Sequence, residues 1–181
     1  MQAQSTIFTM MPQITIKSSR EEVFRDVEKY LTDMGFTIVD KDVSRPWGGF
    51  FVIEEEQARR FSHIFFPTME FVLSQMVGKL SPKILLVEPG KRLSWQYHFR
   101  RSEIWKLVAG KAGVAMSNTD EQGEVQQLSI NKVIELNKGK RHRLVGLEGS
   151  WGMIAEIWQH TDPDHPSDED DIVRLQDDYG R

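Results

Sequence analysis

Cysteine is absent from the 181 residues. That excludes a disulfide framework and any thiolate metal site, so a metal would have to be held by nitrogen and oxygen donors. Long apolar runs are also missing. No stretch approaches the roughly 20 residues of a membrane span, and the N-terminal residues lack the basic start and apolar run of a secretory signal. An excess of positive charge is missing too: 23 Lys and Arg stand against 27 Asp and Glu, a formal charge of -4, which gives no electrostatic footprint for nucleic acid. These absences lead us to expect a cytoplasmic protein with neither a membrane nor a nucleic-acid partner. What is present, 39% hydrophobic and 28% charged residues, places the chain among globular proteins of about one domain's length. The expected organisation is one domain over residues 1–181, with a strand and helix extension over 1–44 and a barrel with a C-terminal tail over 45–181.

Residues 13–17 read as a short strand. Ser19 and Glu22 have the spacing of a capping box, and Val23, Phe24, Val27, Tyr30, Leu31 and Met34 follow helical periodicity up to Gly35, a natural C-terminal cap. Residues 36–39 and 49–54 read as strands around a turn at Arg45-Pro46-Trp47-Gly48. The Phe- and Met-rich stretch 56–79, broken by Pro67, reads as an irregular helical insertion that forms a lid or core patch, with a substrate-covering role as the alternative. From Lys83 the texture changes to short strands, at 84–87, 92–99, 104–116, 125–136, 142–147 and 153–160. Their turn-rich punctuation, without intervening amphipathic helices, predicts an all-β-dominated antiparallel sandwich or barrel. No internal repeat is visible. Residues 161–171 read as an acidic solvated loop before a short segment at 172–175.

The most informative stretch runs from Gly90 to Gly110. Strand alternation places Ser94, Gln96, His98 and Arg100 on one face and Leu93, Trp95, Tyr97 and Phe99 on the other. Glu103 opens the next strand and can return a carboxylate to the same point, while His142 begins a strand after the turn through Asn137, Lys138 and Gly139. Imidazole, carboxylate and amide oxygen together suit a divalent ion such as zinc, manganese, iron or nickel. By spacing alone, a polar sheet face satisfied by hydrogen bonds stands beside that reading.

These intervals match the two-part signature of the cupin superfamily. Gly90-x5-Gln96-x-His98-x4-Glu103-x6-Gly110 keeps every spacing of its first part, with glutamine in place of the first histidine. Asn137-x-Gly139-x2-His142 matches the second, with asparagine for proline. Glutamine at that position is used by mannose-6-phosphate isomerases. Arg45-Pro46-Trp47-Gly48, the segment around Trp95 to Trp105, and the tail from Glu169 to Arg174 with Asp178-Tyr179-Gly180-Arg181 are similar to the phosphomannose isomerase domain that follows a nucleotidyltransferase in bifunctional bacterial proteins. The chain departs from that family at Phe99, Arg100 and Ile104, where further histidines are common.

The resemblance implies a cupin double-stranded β-helix, or jelly roll, with an N-terminal helix and a helical insertion. It implies a divalent metal, zinc ahead of manganese, iron or nickel, on Gln96, His98, Glu103 and His142, and substrate contacts from Lys83 and Arg143. The implied activity is metal-dependent interconversion of mannose 6-phosphate and fructose 6-phosphate through a metal-stabilised enediol. No catalytic base is assigned; Glu135, Glu156 and His160 are open candidates. Two alternatives stay open: a non-catalytic or regulatory metal-containing sugar-binding cupin, and a different metal-cupin chemistry such as a dioxygenase, against which Gln96 argues. The partner expected is a sugar phosphate, with homodimerisation through the N-terminal elements.

Overall fold

The computed structural model describes residues 11–12, 18–75, 78–130 and 132–180. The strand expected at 13–17 lies outside them. Helix α1, Arg20–Asp33, begins at the expected capping box: Ser19 Oγ accepts the Glu22 backbone N–H at 3.2 Å and the Glu22 carboxylate accepts that of Ser19 at 2.8 Å. It ends at Gly35, whose φ of +79° suits a residue without Cβ. The Arg20 guanidinium ties the helix to the following turn, donating to the carbonyls of Arg45 and Gly48 and pairing with Glu88.

The strands are β1 (Ile38–Asp42), β2 (Gly48–Ile53), β3 (Leu80–Val87), β4 (Trp95–Tyr97), β5 (Arg101–Gly110), β6 (Ala112–Ser117), β7 (Val125–Gln127), β8 (Val133–Leu136), β9 (Arg141–Gly146), β10 (Gly152–His160) and β11 (Val173–Gln176). They form two antiparallel sheets, in the orders β1-β2-β3-β10-β5-β8 and β11-β4-β9-β6-β7. Because side chains alternate, the larger sheet is buried on both faces. Its outer face, with Phe51, Ile53, Ile84, Leu86, Met153, Ala155 and Ile157, packs under Val23, Phe24, Val27 and Leu31 of α1. Its inner face, with Phe50, Leu85, Val87, Trp105, Leu107 and Ile154, meets Ala112, Val114 and Leu144 of the second sheet.

Three of the expected strands are corrected. The run 104–116 is two strands, because the chain crosses from one sheet to the other at Gly110. There φ is +75°, and a Cβ would lie 1.7 Å from the Trp151 carbonyl oxygen. The run 125–136 is likewise two strands in different sheets, split by a turn in which the Lys132 N–H donates to the Ser129 carbonyl. Of 92–99, only Trp95–Tyr97 is strand, joined by a single bridge from Arg92 to Val145. The insertion contains α2 (Ala58–Phe65) and α3 (Glu70–Gln75). Phe61, Phe65, Phe66 and Leu73 sit in the outer core beside Phe36, so this stretch is a core patch remote from the inner face. No helix among the described residues is long and apolar enough to cross a membrane.

Candidate metal and anion site

The inner face of the sandwich changes from apolar to polar toward one end. Along β3, Val87 and Leu85 give way to Lys83; along β10, Ile154 gives way to Glu156 and Trp158; along β5, Leu107 gives way to Trp105 and Glu103. Here the sheets enclose an open-mouthed cleft lined by Lys83, Gln96, Arg101, Glu103, Glu156 and Trp158.

Antiparallel pairing sets Gln96 of β4 directly opposite His142 of β9. The turn before β9 is fastened to the same place, because the Gly139 N–H donates to the His98 carbonyl at 2.9 Å. His98 follows β4, and the next turn carries the chain into β5 and to Glu103. That turn is organised from far along the chain by Asp171, whose carboxylate accepts the backbone N–H groups of Phe99 and Arg100, each at 3.0 Å. Burial works to raise Asp171, but these bonds and the Ser167 hydroxyl more than offset it and hold the carboxyl below its ordinary value.

The two imidazoles have fixed tautomers. His98 Nδ1 lies 2.6 Å from the Asp171 carbonyl oxygen and His142 Nδ1 lies 2.9 Å from that of Lys140. Carbonyls only accept, so each Nδ1 carries the hydrogen and each Nε2 presents a lone pair inward. Burial pushes His98 down, against the pull of Glu103. Both Nε2 atoms face Glu103: His98 Nε2 is 3.2 Å from Oε1 and His142 Nε2 is 3.4 Å from Oε2. Burial works to raise Glu103, but His98 and Arg101 outweigh it and hold the carboxylate well below its usual range.

One atom from each of His98, Glu103 and His142 falls within 4.8 Å of the others, as ligands of one ion would. Glu103 Oε2 and His142 Nε2 are buried without a hydrogen-bond partner among the described residues. Two acceptors left facing one another are costly, and a cation between them would satisfy both. This donor set fits a divalent metal. Gln96 is buried beside it, its Nε2 3.5 Å from His98 Nε2 and its Oε1 accepting the Ser94 hydroxyl at 2.5 Å. Turning the amide over would bring the oxygen to the cluster and leave Nε2 to donate to Ser94.

Arg101 is the residue that spacing did not single out. It is buried, donates through Nε to Glu103 Oε1 at 2.7 Å, lies through Nη2 3.2 Å from His98 Nε2, and stacks 3.6 Å over the Trp158 ring. Lys83 lines the same cleft, bonded to Glu169 and set 3.5 Å over the Trp158 ring. Arg143 is not brought to it: alternation turns it to the opposite face of β9 from His142, where it donates to Gln122 Oε1 at 2.6 Å and to the Gln176 carbonyl. Of the candidate bases, Glu135 is exposed and His160 hydrogen-bonds with Ser81 and the Ser167 backbone outside the cleft. Glu156 does line the cleft, accepting the Trp105 indole N–H at 2.8 Å. Burial, and then the Glu103 charge, push its carboxyl up to about 8. The acidic stretch expected to be merely solvated instead buries Ser167 and Asp171 against this site.

Known proteins resemble the chain in sequence and in fold. A mannose-1-phosphate guanylyltransferase from Salmonella montevideo is 28% identical over 162 residues, 89% of this chain and 28% of that protein. The chain therefore spans less than a third of that relative's length. A Bacillus subtilis oxalate decarboxylase, OxdC, superposes with a TM-score of 0.51 at 12% identity, over 75% of this chain and 30% of its own. The capsular polysaccharide assembling protein CapF of Staphylococcus aureus gives 0.50 at 16%, over 86% and 37%. These two likenesses show the fold, a cupin barrel. The expected isomerase activity is corrected: curated relatives that match most of the chain are named mannose-1-phosphate guanylyltransferases, not isomerases. The family model described as mannose-6-phosphate isomerase C-terminal matches residues 54–177, more than half of the chain, and the chain belongs to that family.

Proposed function

We propose that this chain is a sugar-phosphate-binding cupin module, with a divalent metal held by His98, Glu103 and His142 and supplemented by Gln96. Zinc comes first, with manganese, iron or nickel as alternatives of similar donor preference. The carrying observation is the pair of buried acceptors, Glu103 Oε2 and His142 Nε2, that have no hydrogen-bond partner among the described residues, where Glu103 borders a cleft that also holds fixed cations. A bound metal would supply a Lewis-acidic centre for sugar hydroxyl or carbonyl oxygens.

The phosphate preference is argued from charge. Arg45, Lys83, Arg101 and Arg174 line the cleft together with Glu103, Glu156 and Glu169. With the Glu156 carboxyl pushed up to about 8, it is largely uncharged near pH 7, so cations exceed anions there. A neutral sugar gains little from such a surplus; a phosphorylated one gains charge-assisted hydrogen bonds. The family and the mannose-1-phosphate guanylyltransferase relatives support a phosphorylated mannose as the sugar.

The reading is tested by calorimetry on metal-loaded protein with mannose 1-phosphate, mannose 6-phosphate and mannose. At least one phosphate ester should bind at least tenfold more tightly than mannose, a difference of about 1.4 kcal/mol. Equal affinity for ester and free sugar, or binding of neither, would contradict it.

A further inference from the structure

The Lys83 ammonium sits deep in the cleft, its side chain only 5% exposed. A buried ammonium without an anion costs several kcal/mol, so something must neutralise it. Aromatic faces cover its flanks, Trp158 at 3.5 Å and Phe50 at 5.0 Å. The anion is the carboxylate of Glu169, and the two partners are unequal, since the Glu169 side chain is 60% exposed.

The backbone around Glu169 is held without it. Arg101 donates to the Asp168 carbonyl at 3.0 Å, and the Asp168 carboxylate accepts from Arg100 at 2.9 Å. On the other side Asp171 is fastened to the backbone of Phe99 and Arg100. The Glu169 side chain can therefore swing into solvent while the segment that carries it stays in place.

We infer that Glu169 is a resident counterion on the anion subsite of the cleft, and that a phosphorylated ligand binds by exchanging its phosphate for this carboxylate on Lys83. The inference rests on the sugar-phosphate reading and adds to it an internal competitor that sets the affinity threshold. A carboxylate offers one negative charge and two oxygens; a phosphate monoester offers nearly two charges and three oxygens, so the exchange favours phosphate. A neutral sugar has nothing to offer Lys83 and leaves Glu169 where it is.

The experiment uses inorganic phosphate as the probe, measured by calorimetry and thermal melting on the full chain as wild type, Glu169→Gln, Asp170→Asn and Lys83→Met. Glu169→Gln should bind phosphate roughly tenfold more tightly than wild type, the gain from losing a competing charge. It should melt lower than wild type in phosphate-free buffer and recover more on phosphate addition. Asp170→Asn, an exposed neighbour in the same segment, should bind as wild type does, which separates the counterion from a general loosening of the loop. Equal phosphate affinity in wild type and Glu169→Gln, no phosphate binding in either, or binding that survives Lys83→Met would overturn the exchange. Mannose 6-phosphate, mannose 1-phosphate and mannose are titrated in parallel. If phosphate ranks the variants as expected but neither ester binds more tightly than mannose, the counterion stands and the sugar-phosphate reading falls.

Discussion

The space between the two sheets has two ends built from the same strands. At one end Leu85, Val87, Leu107, Val114, Leu144 and Ile154 close against each other. At the other, two or more residues along the same inward stripes, Lys83, Glu103, His142 and Glu156 face one another, all nearly inaccessible to solvent. Strand alternation decides which residues point inward at both ends; only the side-chain chemistry changes. The apolar end gains stability from burial, whereas the polar end spends some of it on groups that need cations, protons or ligands to be satisfied. The contrast teaches that one end serves as the fold's clamp and the other as its site.

The largest effect should come from breaking the polar end's internal charge pair. In metal-free protein, Arg101→Met leaves Glu103 without its guanidinium and should cost about 3–5 kcal/mol by chemical denaturation, with zinc restoring more stability to the variant than to wild type. Next, Leu144→Ala at the closed end should cost about 3 kcal/mol through the cavity it leaves, with no change in metal content per folded chain. If it also lowered metal content, the two ends would not be separable.

Glu156 sharpens the comparison through pH. Its carboxyl keeps its proton in the folded protein up to about 8, against an ordinary value of 4.5, so the folded state binds more protons between those limits. Stability should therefore fall as pH rises from about 4.5 through about 8. Glu156→Gln removes that titration. Relative to wild type it should melt higher at about pH 9 than at about pH 6, by about 1 kcal/mol or more in metal-free protein. Identical pH profiles would remove Glu156 from the charge balance of the cleft. The smallest effect is expected of Arg100→Ala: Arg100 pairs with Asp168 at the surface, so the change should cost under about 1 kcal/mol and leave metal content intact.

Much of this was legible in local spacing. Gln96, His98 and Glu103 lie within eight residues, joined by the short turn that carries the chain from β4 to β5, so alternation and turn length fix their relative positions, and His142 follows a turn whose Gly139 N–H is bonded to His98. The helix start at Ser19 was legible for the same reason. Long-range placements were not. Nothing in the acidic composition of 161–171 reveals that Asp171 orients His98, or that Glu169 reaches Lys83, more than 80 residues away in sequence. Arg101 lies beside the expected ligands, but its inward aim depends on β5 beginning at that residue rather than at Ile104. The splits at Gly110 and near Ser129 escaped because apolar residues recur on both sides of each bend while the chain changes sheet.

The central claim is that His98, Glu103 and His142 act as one coordination sphere rather than as a hydrogen-bonded polar face. Elemental analysis of wild type, His98→Ala, His142→Ala and Arg100→Ala, purified identically without chelator, tests it most directly. The account predicts about one divalent ion per chain in wild type and Arg100→Ala, and at least a tenfold loss in both histidine variants, since removing either ligand opens the same sphere. Metal content that is equal across all four proteins, whether near one or near zero, would contradict it.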